Sequence, residues 1–144
     1  VALVAALLRI VHLLALRDDP LFQSVFGDSE VYVVRARAWL QGVTAEAHAF
    51  TPPLYPLFLA LVFAAAGEAL ELVRWLQAGF GVVAATATAA AGALLWGRRA
   101  GWVAGLCLAA SPVAIFFDGE LLSASLVLVL TAVGMAATAR SLAG

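Results

Sequence analysis

Three polar islands interrupt an otherwise apolar chain, and two of them carry residues able to do acid–base chemistry. They are Gly27-Asp28-Ser29-Glu30, Thr51-Pro52-Pro53-Leu54-Tyr55-Pro56 and Phe117-Asp118-Gly119-Glu120. Acidic side chains are costly near a bilayer and mark function there. Asp28 stands just before a predicted helix. At headgroup depth its carboxylate can take a proton from an acceptor hydroxyl or amine and turn that group into a nucleophile. The same position suits a helix cap, since Asp is a favoured N-cap residue, and spacing alone leaves both roles open. Glu30 can assist Asp28 or pair with Arg37, two turns along the same helix face. Asp118 and Glu120 fall in a short predicted loop, where they either face Asp28 or simply keep the turn in water. Together Asp28, Asp118 and Glu120 make a set of oxygen ligands suited to a divalent cation, which would neutralise a phosphate leaving group. Without a hard metal, such carboxylates repel and one takes up a proton.

Arg35, Arg37 and Arg74 are candidates for holding a lipid-linked phosphate, because a guanidinium recognises phosphate bidentately; the alternative is that they snorkel to headgroups. His48 precedes the Pro-Pro turn and is a candidate ligand or proton carrier. Arg9 and His12 share one face of the first helix. Their cost in lipid predicts that they point into the protein or toward a boundary. Gln77 is expected to hydrogen-bond between helices.

The elements that must position these residues are those of a membrane protein. The chain of 144 residues is 65% hydrophobic and only 12% charged, against about 25% charged in an average soluble domain. Mean hydropathy is +1.04. A net charge of -1 points away from a nucleic-acid partner. The single cysteine, Cys107, excludes an intrachain disulfide and a paired-cysteine metal site. All eight basic residues are Arg, which together with the abundant Ala suggests a bacterial source of high G+C content. Residues 1–16 form a helix candidate slightly short of a span. That run lacks a basic leading region and carries Arg9 in its middle, unlike a cleavable signal peptide. Residues 29–41 predict a short helix capped by Asp28 or Ser29 and ended by Gly42, with Tyr32 and Trp39 suited to an interface. Residues 54–67 match the roughly 10–14-residue apolar runs that dip into a membrane or lie on it. Residues 72–96, 100–117 and 121–139 are predicted to span, with Pro112 loosening the end of the second. Gly97, Gly101 and Gly105, and likewise Ala84, Thr88 and Gly92, repeat at the spacing that lets helix backbones approach.

Charge placement favours the arrangement in which 54–67 does not cross. Arg98, Arg99 and Arg140 then share one side without any acid, and all nine acidic residues lie on the other. The positive-inside rule makes the first side cytoplasmic. The expectation is an all-α, polytopic bundle of about four spanning helices plus interfacial or re-entrant helices on the outer face.

The order of these motifs resembles the amino-terminal part of the GT-C class membrane glycosyltransferases. The nearest likeness is to the dolichyl-phosphate-mannose protein mannosyltransferase-like group, which includes the lipid A aminoarabinose transferase. Residues Phe26 to Tyr32 resemble that family's first-loop Asp motif, Ala49 to Ala60 its proline motif, and Asp118-Gly119-Glu120-Leu121-Leu122 its second-loop acidic motif. Many members have adjacent Asp-Glu in the first loop, whereas here Ser29 intervenes. The resemblance implies transfer of a sugar from a polyprenyl-phosphate donor to a protein, lipid or glycan acceptor. Asp28 would be the base, at the periplasmic face of a bacterial inner membrane. It also implies that residues 1–144 are one transmembrane domain of a longer enzyme, inactive without its remaining helices. Two other classes stay open: a transporter or channel fragment, and a non-catalytic assembly module.

Overall fold

The computed structural model describes residues 1–43 and 52–143, so His48 and Thr51 lie outside the described residues. The described elements are helical: α1 (Ala2–Leu16), α2 (Pro20–Gln23), α3 (Asp28–Leu40), α4 (Leu54–Ala66), α5 (Leu70–Trp96), α6 (Arg98–Ala109), α7 (Pro112–Gly119) and α8 (Ala124–Ala143). No strand forms among them. Two of these helices, α5 and α8, are long and apolar enough to cross a membrane, and the bent α6–α7 pair makes a third if it counts as one span. Helices α1 and α4 are apolar but shorter.

The expected span over 100–117 is broken. Ser111 accepts a hydrogen bond from the Ala114 amide and Pro112 opens a new helix. Pro tolerates that first position because its missing N–H has no intrahelical partner there anyway. The two pieces meet at 49°. Pro112 therefore restarts the helix instead of loosening its end. This redirects the chain and carries Asp118 into α7 rather than into a loop.

The long helix α5 is the axis of the fold. Helix α6 returns antiparallel to it through small residues: a methyl added at Gly105 would sit 2.5 Å from Ala89 Cβ and 3.0 Å from the Ala85 carbonyl, and one at Gly92 would sit 3.0 Å from Gly101 Cα. In lipid, apolar burial gives little drive between helices, so this close backbone approach supplies the packing. Of the predicted glycines, Gly97 does another job, ending α5 at φ +89°. Helix α8 runs parallel with α5, where Ala84 packs on Val129 and Ala132. Helix α1 runs antiparallel to α5: Ala5 meets Ala85 and Ala109, and Arg17 reaches Glu71 at 3.8 Å. Arg98, Arg99 and Arg140 thus share one end of the bundle, and Glu68, Glu71 and Glu120 the other. Leucines and valines such as Leu7, Leu61, Val103 and Val127 cover the outside, as on a lipid-facing surface.

At the acidic end, α3 packs on α4 in a cluster that includes Tyr32, Val33, Tyr55, Leu59, Phe63 and Leu121. Tyr32 and Tyr55 meet edge to face at 5.0 Å, and Phe58 continues the row to Phe80 of α5 at 5.4 Å.

Candidate functional site

Asp28 is the first residue of α3 and is exposed. The cap position belongs to Gly27, whose φ of +59° is a left-handed conformation that glycine adopts freely. No side chain caps this helix, so the expected cap by Asp28 or Ser29 is corrected. Asp28 and Glu30 instead stand in the first turn, where their charge favours the positive helix end. Neither carboxylate has an ion-pair partner among the described residues. Ser29 is buried between them. Tyr32, one turn on, shares the apolar cluster with Leu121, the neighbour of half-buried Glu120. Asp28 and Glu120 therefore belong to the same end of the bundle.

Asp118 is elsewhere. It is 2% exposed and accepts from Arg9 Nε at 2.7 Å, while Arg9, 1% exposed, also donates through Nη1 to the carbonyls of Ala5 and Ala109 at 3.2 Å. The pair fits only because α5 has no side chain at Gly81, where an added methyl would overlap both Arg9 Nε and Asp118 Oδ2. Arg9 thus points inward, as its cost in lipid requires. The expected metal trio is corrected on the same ground: Asp118 is committed to Arg9, and no group of three His, Cys, Asp or Glu among the described residues is placed to hold a metal ion. Buried Arg9 Nη2 and His12 Nε2 have no hydrogen-bond partner among the described residues.

Gln77 organises the turn after α7. Its amide donates to the Glu120 carbonyl at 2.5 Å, and its oxygen accepts from the Tyr55 hydroxyl at 2.6 Å. Burial pushes the Tyr55 phenol above its ordinary range, which keeps it a neutral donor. The proline motif is joined in this way to the second acidic motif, a connection the spacing does not reveal.

The three arginines part company. Arg74 is buried, donates through Nε to the Gly119 carbonyl at 3.0 Å and through Nη2 to the Phe22 carbonyl, and lies 4.1 Å over the Phe22 ring. Arg37 is engaged bidentately by Glu68, through Nε to Oε2 at 2.8 Å and Nη2 to Oε1, which replaces the expected pair with Glu30. That hydrogen bonding holds the Glu68 carboxyl below its usual range and raises Arg37. Arg35, half-buried, lies 5.1 Å over Trp39.

A pocket of about 430 Å³ opens between α1, α2 and α5, lined by Leu14, Arg17, Asp18, Phe22, Glu71 and Arg74 among others. Asp28 does not line it. Comparison with known protein families, characterised proteins and solved structures returns no match.

Proposed function

We propose that residues 1–144 form the amino-terminal transmembrane domain of a larger GT-C type glycosyltransferase. It would transfer a sugar from a polyprenyl-phosphate donor to a protein, lipid or glycan acceptor, with Asp28 as general base. The observation that carries this reading is the state of Asp28: exposed, unpaired among the described residues, and held at the acidic end of the bundle by a packed α3–α4 unit. A base must be accessible, and Asp118, buried and locked to Arg9, is not. In the reaction the acceptor oxygen or nitrogen bonds to the anomeric carbon and gives its proton to Asp28. The bond from that carbon to the phosphate oxygen breaks, and polyprenyl phosphate leaves. Arg35 stands two turns along α3 from Asp28, about 10 Å on, which leaves room for a sugar between base and phosphate. Glu120, half-buried, is a further acid of this end.

The membrane arrangement proposed with it has four crossings, by α1, α5, α6–α7 and α8, with α4 dipping from the outer face. Its support is the segregation of Arg98, Arg99 and Arg140 from the acids. A second support is that the ring contacts of α4 reach Phe80, ten residues into α5. Ten residues rise about 15 Å, half of a roughly 30 Å hydrocarbon core. The acidic end would face the periplasm of a bacterial inner membrane.

The test is Asp28→Asn in the full-length protein in native membranes, with transfer followed from a radiolabelled polyprenyl-phosphate sugar. Loss of general-base catalysis is worth about 10²–10⁴ in rate, so the variant should fall at least 100-fold at unchanged protein level. Retained transfer would overturn the assignment. One observation favours a second reading, a transporter fragment: the buried Arg9–Asp118 pair, since ionisable groups inside a membrane mark ion or proton paths. On that reading Asp28→Asn is silent and Asp118→Asn alters ion-dependent flux.

A further inference from the structure

We propose that the pocket between α1, α2 and α5 binds a zwitterionic phospholipid headgroup, a phosphate joined to a primary ammonium, with its acyl chain along α1. This site is independent of the transferase reading. Its floor is Arg74, more than nine-tenths buried. The guanidinium spends Nε and Nη2 on the Gly119 and Phe22 carbonyls, leaving the Nη1 amine as its donor for the pocket it borders. A buried guanidinium with a spare donor is built for an anionic oxygen, and Arg suits phosphate.

The rim carries the opposite sign as well. Asp18 and Glu71 line the same opening beside Arg17, and all three are exposed. The Arg17–Glu71 contact is loose, 3.8 Å between side chains more than 60% exposed, and exposed pairs of this kind contribute little. Two cations and two carboxylates in one pocket oppose a purely anionic ligand and a purely cationic one. A molecule holding both charges a few bonds apart satisfies both halves. Apolar walls from Leu13, Leu14, Leu70 and Trp75 commit the ligand to a lipid rather than a free phosphoamine. Leu14, Val11 and Leu7 continue the stripe along α1, each at least half exposed, at the spacing of one helix face. Trp75 stands where an aromatic ring prefers the headgroup level.

The full chain, purified in neutral detergent, is titrated with phosphatidylethanolamine, phosphatidylglycerol or soluble O-phosphoethanolamine, and bound ligand is counted by native mass spectrometry. One phosphatidylethanolamine should bind about tenfold more tightly than phosphatidylglycerol, a difference of about 1.4 kcal/mol. The soluble headgroup should not compete at equal concentration. Because Arg74 also holds two backbone carbonyls, the decisive variant is on the rim. Asp18→Asn with Glu71→Gln should erase the preference while phosphatidylglycerol binding holds or strengthens. Equal binding of the two lipids, or a preference that survives the rim variant, overturns the proposal. Competition by the soluble headgroup overturns its assignment to a lipid.

Discussion

Breaking the Arg9–Asp118 pair should cost more than any other single polar change in the bundle. Both side chains are at most 2% exposed, and removing one partner of a buried pair typically costs about 3–5 kcal/mol, because the other charge is left unpaired. Asp118→Asn strands Arg9, which keeps only the Ala5 and Ala109 carbonyls. An expected loss of about 3 kcal/mol lowers the folding constant roughly 150-fold. Arg9→Met with Asp118→Leu removes both charges and leaves apolar groups of similar length, so it should recover most of that loss. Gly81→Ala should imitate the broken pair without touching either charge, since the new methyl falls on Arg9 Nε and Asp118 Oδ2. The assay is unfolding in mixed detergent micelles, followed by fluorescence of the four tryptophans. A loss for Asp118→Asn below about 0.5 kcal/mol, the scatter of an ordinary surface change, would refute the idea that this pair clamps α1 to α5 and α7. So would strict additivity in the double variant.

Tyr55→Phe removes the donor to Gln77 Oε1 and leaves a buried acceptor unsatisfied, a loss of about 1–3 kcal/mol visible in the same unfolding assay. The Arg37–Glu68 pair should act as a weak, acid-sensitive clasp on α3. Glu68 is depressed in the folded state, so its contribution is full above the unfolded carboxyl range and is lost as pH falls through the lowered folded value. Exposed on both sides, it is worth at most about 1 kcal/mol. Amide exchange in α3 should accelerate a few-fold at acid pH, and Glu68→Gln should remove that pH dependence.

The positions of α1, α4, α5 and α8 were readable from apolar run lengths, and the inward aim of Arg9 and the bridging role of Gln77 from the cost of polar groups in lipid. Gly101 and Gly105 announced the α5–α6 contact by spacing. Three features were not readable. Gly119 beside two acids reads as a loop, yet Ser111 and Pro112 restart a helix that turns Asp118 inward, and only the packed fold supplies its partner from α1. Gly81 looks like any glycine of a small-residue helix until the ion pair is seen lying over it. Arg37 chooses Glu68 over Glu30 because α3 folds back beside the start of α5, which helical spacing cannot express.

The claim on which the proposed chemistry depends is that Asp28 and Glu120 face the same side of the membrane, opposite Arg98. Single substitutions Asp28→Cys, Glu120→Cys and Arg98→Cys in a Cys107→Ala background, probed in native membranes with an impermeant thiol reagent, test it directly. Labelling from outside at 28 and 120, and at 98 only after permeabilisation, is the predicted result. Outside labelling at 28 and 98 but not at 120 would mean that α4 crosses the membrane, and the two acids could not serve one site.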